Sequence, residues 1–71
     1  MSVEILAPMP GTIIEILVKA GDKVSADDEL IILESMKMEN PICAESDGTV
    51  TEIKVEEEDK VEANQVLAIL D

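Results

Sequence analysis

Lys37 stands between two methionines and two glutamates, in the run Glu34-Ser35-Met36-Lys37-Met38-Glu39-Asn40. An exposed primary amine on a protruding turn suits one chemistry well, acylation by an activated carboxylic acid, and the long stem of lysine extends the reach of any cargo. The plain alternative is a solvated lysine beside methionines that fill gaps in a core. Other chemistry is scarce. The chain has no His and one Cys, Cys43, so it holds neither a zinc-ligand set nor a His-assisted nucleophile. Cys43 follows Ile42 with no cation close by in sequence, which reads as a small, partly buried strand residue. Without a nucleophile–base pair, an independent enzyme is the weakest of the readings.

Composition narrows the possibilities further. With 71 residues the chain, 1–71, makes a single domain, too small for a deep cleft built from several elements. Apolar residues make up 46% of it, yet Phe, Tyr and Trp are all absent, so the core must be aliphatic and bases have no ring to stack on. The formal charge is −12, from 17 acidic residues against 5 lysines. Such a chain repels phosphate backbones and anionic membrane surfaces, so neither nucleic acid nor membrane insertion is expected. A lone cysteine, short apolar runs and no signal-like start at Met1-Ser2-Val3-Glu4 predict a soluble, cytoplasmic and monomeric domain.

The elements that position Lys37 come from an internal duplication. Residues 11–34 align without a gap on residues 48–71, with identity at 12 of 24 positions, and Ile5 and Ala7 extend the match to Ile42 and Ala44. Each copy opens with Gly-Thr and a β-branched run broken by Glu15 or Glu52. A polar turn follows, Ala20-Gly21-Asp22-Lys23 or Glu57-Glu58-Asp59-Lys60, then Val24 or Val61, a second turn at Asp27-Asp28 or Asn64-Gln65, and a closing strand over Leu30–Leu33 or Leu67–Leu70. Lys, Glu and Leu also favour helices, but the β-branched content and turn spacing predict short antiparallel strands. One copy alone would leave its apolar face wet, so two copies packed face to face, with approximate two-fold symmetry, are expected. The duplication leaves residues 35–41 unexplained, and these are predicted to form an exposed hairpin tip carrying Lys37.

Glu34-Ser35-Met36-Lys37-Met38-Glu39-Asn40 resembles the biotinyl-lysine motif of the biotin carboxyl carrier family, Ala7-Pro8-Met9-Pro10-Gly11 resembles the family's opening segment, and the Gly-Asp-Lys-Val turn at residues 21–24 is similar too. The resemblance runs from about Val3 to Asp71. It implies an all-β barrel-sandwich hybrid of two four-stranded antiparallel sheets, with the lysine on a hairpin tip and no thumb insertion. It departs from the family pattern at Ser35, where alanine is usual, and at Glu58, Asp27 and Asn64, where glycine is common. Asp and Asn tolerate a left-handed backbone, whereas Glu58 in that conformation is strained or sits in a different turn.

The resemblance further implies that a biotin protein ligase joins biotin to Lys37. Glu34, Ser35, Met36, Met38 and Glu39 would form the recognition motif; for the two glutamates, plain solubilising charge is an equal reading. The domain would then shuttle carboxybiotin between a biotin carboxylase and a carboxyltransferase or decarboxylase subunit, itself non-catalytic. It is closer to the carriers of pyruvate, propionyl-CoA and methylcrotonyl-CoA carboxylases, transcarboxylases and sodium-pumping decarboxylases than to thumb-bearing ones. A lipoyl-type acyl carrier shares the fold, but its tip usually reads Asp-Lys-Ala. An unmodified adaptor of the same fold is the remaining alternative.

Overall fold

The β-branched runs form strands wherever a polar turn lets the chain reverse. The computed structural model describes residues 2–71. Its strands are β1 (Val3–Leu6), β2 (Gly11–Ile16), β3 (Lys23–Val24), β4 (Glu29–Ser35), β5 (Met38–Cys43), β6 (Gly48–Ile53), β7 (Lys60–Val61) and β8 (Val66–Leu70). There is no helix among the described residues. Two four-stranded antiparallel sheets result, in the orders β1-β8-β6-β3 and β5-β4-β2-β7. Moving each strand of the first sheet by half the chain gives the second sheet, so the two-fold relation read from the sequence holds strand by strand.

The expectation that the copies pack face to face is corrected by this topology. Each copy gives two adjacent central strands to one sheet and both edge strands to the other. Neither copy can therefore complete a sheet by itself. The physical reason lies in the hydrogen bonds: the edges of a two-stranded piece carry unpaired N–H and C=O groups, and the other copy's strands satisfy them.

The core is aliphatic and obeys the same symmetry. Buried residues match in pairs: Ile5 with Ile42, Ala7 with Ala44, Ile13 with Val50, Val24 with Val61, Leu30 with Leu67 and Leu33 with Leu70. Ile31 is matched by the smaller Ala68, the one large change of volume. No polar side chain is buried among the described residues, so none needs an internal partner.

Turns repeat as faithfully as strands. Asp22 Oδ2 accepts from the N–H of Lys19 at 3.0 Å, and Asp59 Oδ2 accepts from that of Glu56 at 2.9 Å. Asp28 Oδ2 takes the N–H of Ser25 at 2.8 Å, a place filled by Gln65 Oε1 and Glu62 at 3.0 Å. Asp27 and Asn64 have φ of 73° and 68°, the left-handed backbone that their short polar side chains tolerate. Gly21 has φ 98° and Glu58 has φ 76°. The Glu58 N–H still donates to Ile13 O at 2.6 Å, as Gly21 N–H donates to Val50 O at 2.7 Å. The turn is thus conserved between copies, and Glu58 bears the strain.

Gly11 answers a different need. A Cβ there would run into the backbone oxygen of Glu34 and crowd Leu33 Cδ1, whereas a Cβ on Gly21 would meet open space. Gly21→Ala is expected to cost about 1 kcal/mol, from the backbone alone, and Glu58→Gly to gain roughly 0.5 kcal/mol. Gly11→Ala, which must push strands β2 and β4 apart, is expected to cost about 2–3 kcal/mol. Urea unfolding followed by far-UV circular dichroism checks the order of the three.

Candidate attachment site at the β4–β5 turn

Strand β4 is apolar on its core side at Ile31 and Leu33, and β5 pairs with it in register from Ile42 to Met38. Glu34 lies opposite Glu39, and Ser35 opposite Met38. Only Met36 and Lys37 remain for the loop. The expected tip of residues 35–41 is therefore narrower than predicted: Met38–Pro41 belong to β5. Pro41 is accommodated there because β5 is an edge strand, where a missing N–H costs no ladder bond.

A two-residue hairpin loop must twist with its strands, which favours positive φ at both positions. Met36 and Lys37 comply, with φ of 54° and 66°. Neither is Asn or Gly, so each carries a left-handed penalty of roughly 1–2 kcal/mol. Asn40 Nδ2 donates to Met38 O at 3.2 Å and braces the turn from the β5 side. The two-residue length of the loop was not legible in the sequence, which lacks the Asn-Gly signal; the pairing of Ser35 with Met38 defines it.

Lys37 is exposed, and among the described residues it makes no ion pair or hydrogen bond. Met36 is 91% exposed and Met38 67%, which rules out a gap-filling role for both. Met9, by contrast, packs against the core. Glu34 and Glu39 are exposed below the tip and Ser35 is half-buried. Two carboxylates directly across a strand pair repel one another, so this negative collar works against the hairpin rather than for it. Cys43 is half-buried and free.

The structure also joins two segments that sequence reading left apart. A cleft of about 400 Å³ runs beside the tip, lined by Pro10, Gly11, Thr12, Glu34, Ser35, Met36, Lys60 and Val61. The run Ala7–Gly11 thus reaches the tip through Pro10 and Gly11. Here the two-fold relation breaks. Pro10 corresponds to Asp47, whose Oδ1 accepts from the Ala26 N–H at 2.8 Å in a bond that the other copy does not repeat.

A two-sheet sandwich that holds an exposed amine on the apex of a two-residue hairpin defines a small all-β domain able to present that amine to another protein. The family described as "Biotin-requiring enzyme", which groups biotin and lipoyl attachment domains, matches residues 3–70, and the chain belongs to it. The chain is 61% identical over 41 residues to the glutaconyl-CoA decarboxylase subunit gamma of Acidaminococcus fermentans, covering 58% of this chain and 28% of that protein. It is 63% identical over 38 residues to the biotin carboxyl carrier protein of Streptococcus mutans, covering 54% and 29%. The match thus spans under a third of the length of these relatives. Among solved structures, urea carboxylase of Kluyveromyces lactis superposes with a TM-score of 0.94 at 30% identity, over 100% of this chain and 6% of that one.

Because the tip stores backbone strain, Met36→Asn is expected to stabilise the fold by about 0.5–1 kcal/mol. Urea unfolding checks the sign. A loss of stability would show that Met36 holds the turn through a contact instead.

Proposed function

We propose that Lys37 is the residue to which a biotin protein ligase joins biotin, and that the domain offers the attached group in turn to a biotin carboxylase and to a carboxyltransferase or decarboxylase subunit. The observation that carries this reading is an unpaired, exposed amine on the two-residue apex of a hairpin, between two exposed methionines, in a chain of the biotin-requiring family. The named relatives, a decarboxylase gamma subunit and a biotin carboxyl carrier protein, support it.

The residues present fit such a group. Acylation needs a nucleophile that a second active site can enclose, and none of the described residues shields Lys37. Met36 and Met38 give the enclosing pocket a soft, polarizable contact on each side of the amine. Glu34, Ser35 and Glu39 set a polar collar for recognition below them. Biotin bound there supplies a ureido nitrogen that can take up and release a carboxyl group. Lys37 contributes the tether: it keeps the group at high local concentration near both partners, and the rigid turn fixes the pivot. Amide formation removes one positive charge, which changes the formal charge from −12 to −13.

Incubation with biotin, ATP and a biotin protein ligase is expected to add one biotinyl group, mapped to Lys37 by peptide mass spectrometry. A slightly later elution from anion exchange should accompany it. Lys37→Arg should abolish the product and Lys19→Arg should leave it intact. A lipoyl adduct formed by a lipoate ligase, with none from the biotin ligase, would overturn the proposal.

A further inference from the structure

The duplication supplies an internal control for the surface. Positions 37 residues apart occupy equivalent places on the two sheets, so a difference between them is not demanded by the fold. On the outer face of the sheet that bears Lys37, register places Ile32 between Glu15 on β2 and Pro41 on β5. Ile14, the residue skipped by the register shift in β2, is 37% exposed, and Leu17, just past the strand, is 43% exposed. Their equivalents on the other sheet are polar: Thr51 for Ile14, Lys54 for Leu17 and Glu4 for Pro41. There Lys54 pairs with Glu52 at 2.7 Å. On the tip-bearing sheet, Leu17 replaces that lysine and Glu15 makes no ion pair among the described residues. Of five exposed large apolar residues among those described, only Leu6 lies on the other sheet.

We propose that this face, Ile14, Leu17, Ile32 and Pro41 around the unpaired Glu15, is the docking surface for the ligase that acylates Lys37. The inference rests on the function proposed above. The reach of the lysine stem and the charge of the face select the ligase over the later partners. The ligase must bring its acyl donor to Nζ itself, at the end of a four-carbon stem, whereas enzymes that work on the attached ring meet it at the far end of a much longer arm. A protein that encloses Nζ therefore comes up against β4 and β5, the strands that carry the tip. An ordinary interface covers about 800 Å² per partner, a disc of roughly 16 Å radius, and Pro41 lies four strand residues from Lys37, about 13 Å. Leu17, which bonds to Leu30, lies about 23 Å from the tip, so a disc of this size spans the patch when Lys37 sits near its rim. Charge selects the partner's chemistry: an apolar contact flanked by an Arg or Lys placed to meet Glu15, whose equivalent Glu52 is already paired with Lys54 on the other sheet.

The test measures steady-state biotinylation of the full chain by purified biotin protein ligase, with biotin and ATP saturating and the carrier varied. Ile14→Thr, Leu17→Lys and Pro41→Glu together give the tip-bearing sheet the residues its twin already tolerates, so the fold should persist; a circular dichroism melt reports this directly. The carrier KM is expected to rise about tenfold or more with kcat nearly unchanged. Glu15→Gln alone should raise KM less and weaken its dependence on salt. Glu52→Gln on the other sheet should do neither. If the triple variant, folded, and Glu15→Gln both match the wild type, the docking surface is refuted while biotinylation stands. If the wild type itself is not modified, the proposed function falls and the docking surface with it.

Discussion

Backbone hydrogen bonds traded between the two copies set the terms for everything else in this domain. Gly21 N–H donates to Val50 O and Val50 N–H to Asp22 O, at 2.7 and 2.8 Å; Glu58, Ile13 and Asp59 repeat the exchange at 2.6 and 2.8 Å. A second exchange ties Asp27 and Asp28 to Ala44, at 2.8 and 2.9 Å, and Asn64 and Gln65 to Ala7 at the same two distances. An aliphatic core such as this one is tolerant of repacking and poorly directional. The reciprocal bonds supply the direction. They fix which turn meets which strand, and so they hold β4 and β5 in the register that leaves two residues over at the tip.

Strain at Glu58 falls within the duplicated turns, but at the tip, where the symmetry ends, strain and charge repulsion coincide. The tip accepts two left-handed non-glycine residues and a pair of facing glutamates, costs that a purely structural hairpin would avoid with Asn-Gly and a neutral pair. The rest of the fold over-determines the hairpin and can bear them. A rigid pivot under a mobile side chain suits a tether, since the partner then meets a defined base and a searching end.

Much of this was legible in the sequence, for identifiable reasons. The gapless match between residues 11–34 and 48–71 located the strands, the turns and the paired core, because a duplicated chain repeats its burial pattern. Lys37 stood out as what the duplication did not explain. The interleaving of the copies was not legible: Ile13 and Val50 read alike whether their sheets are separate or shared, and only the pairing partner distinguishes the two. The strand character of Met38–Pro41 was hidden too, since Glu, Asn and Pro are poor strand formers and it is pairing with Ile32–Ser35 that overrides them. Glu58 showed as an anomaly against Gly21, but whether the turn or the residue gave way required the observed φ.

The order of strands in the first sheet bears on how the chain comes to be folded at all. β8, the latest strand in the sequence, sits between β1 and β6, so Val3–Leu6 has no neighbour until Val66–Leu70 is available to lie beside it. Until then Val3–Leu6 is an open edge, whereas β2, β4 and β5 can already pair with one another, and long-range closure is the slow step that such a topology imposes. A net charge of −12 and the lack of aromatic residues lower the tendency of such open strands to pair with neighbouring chains.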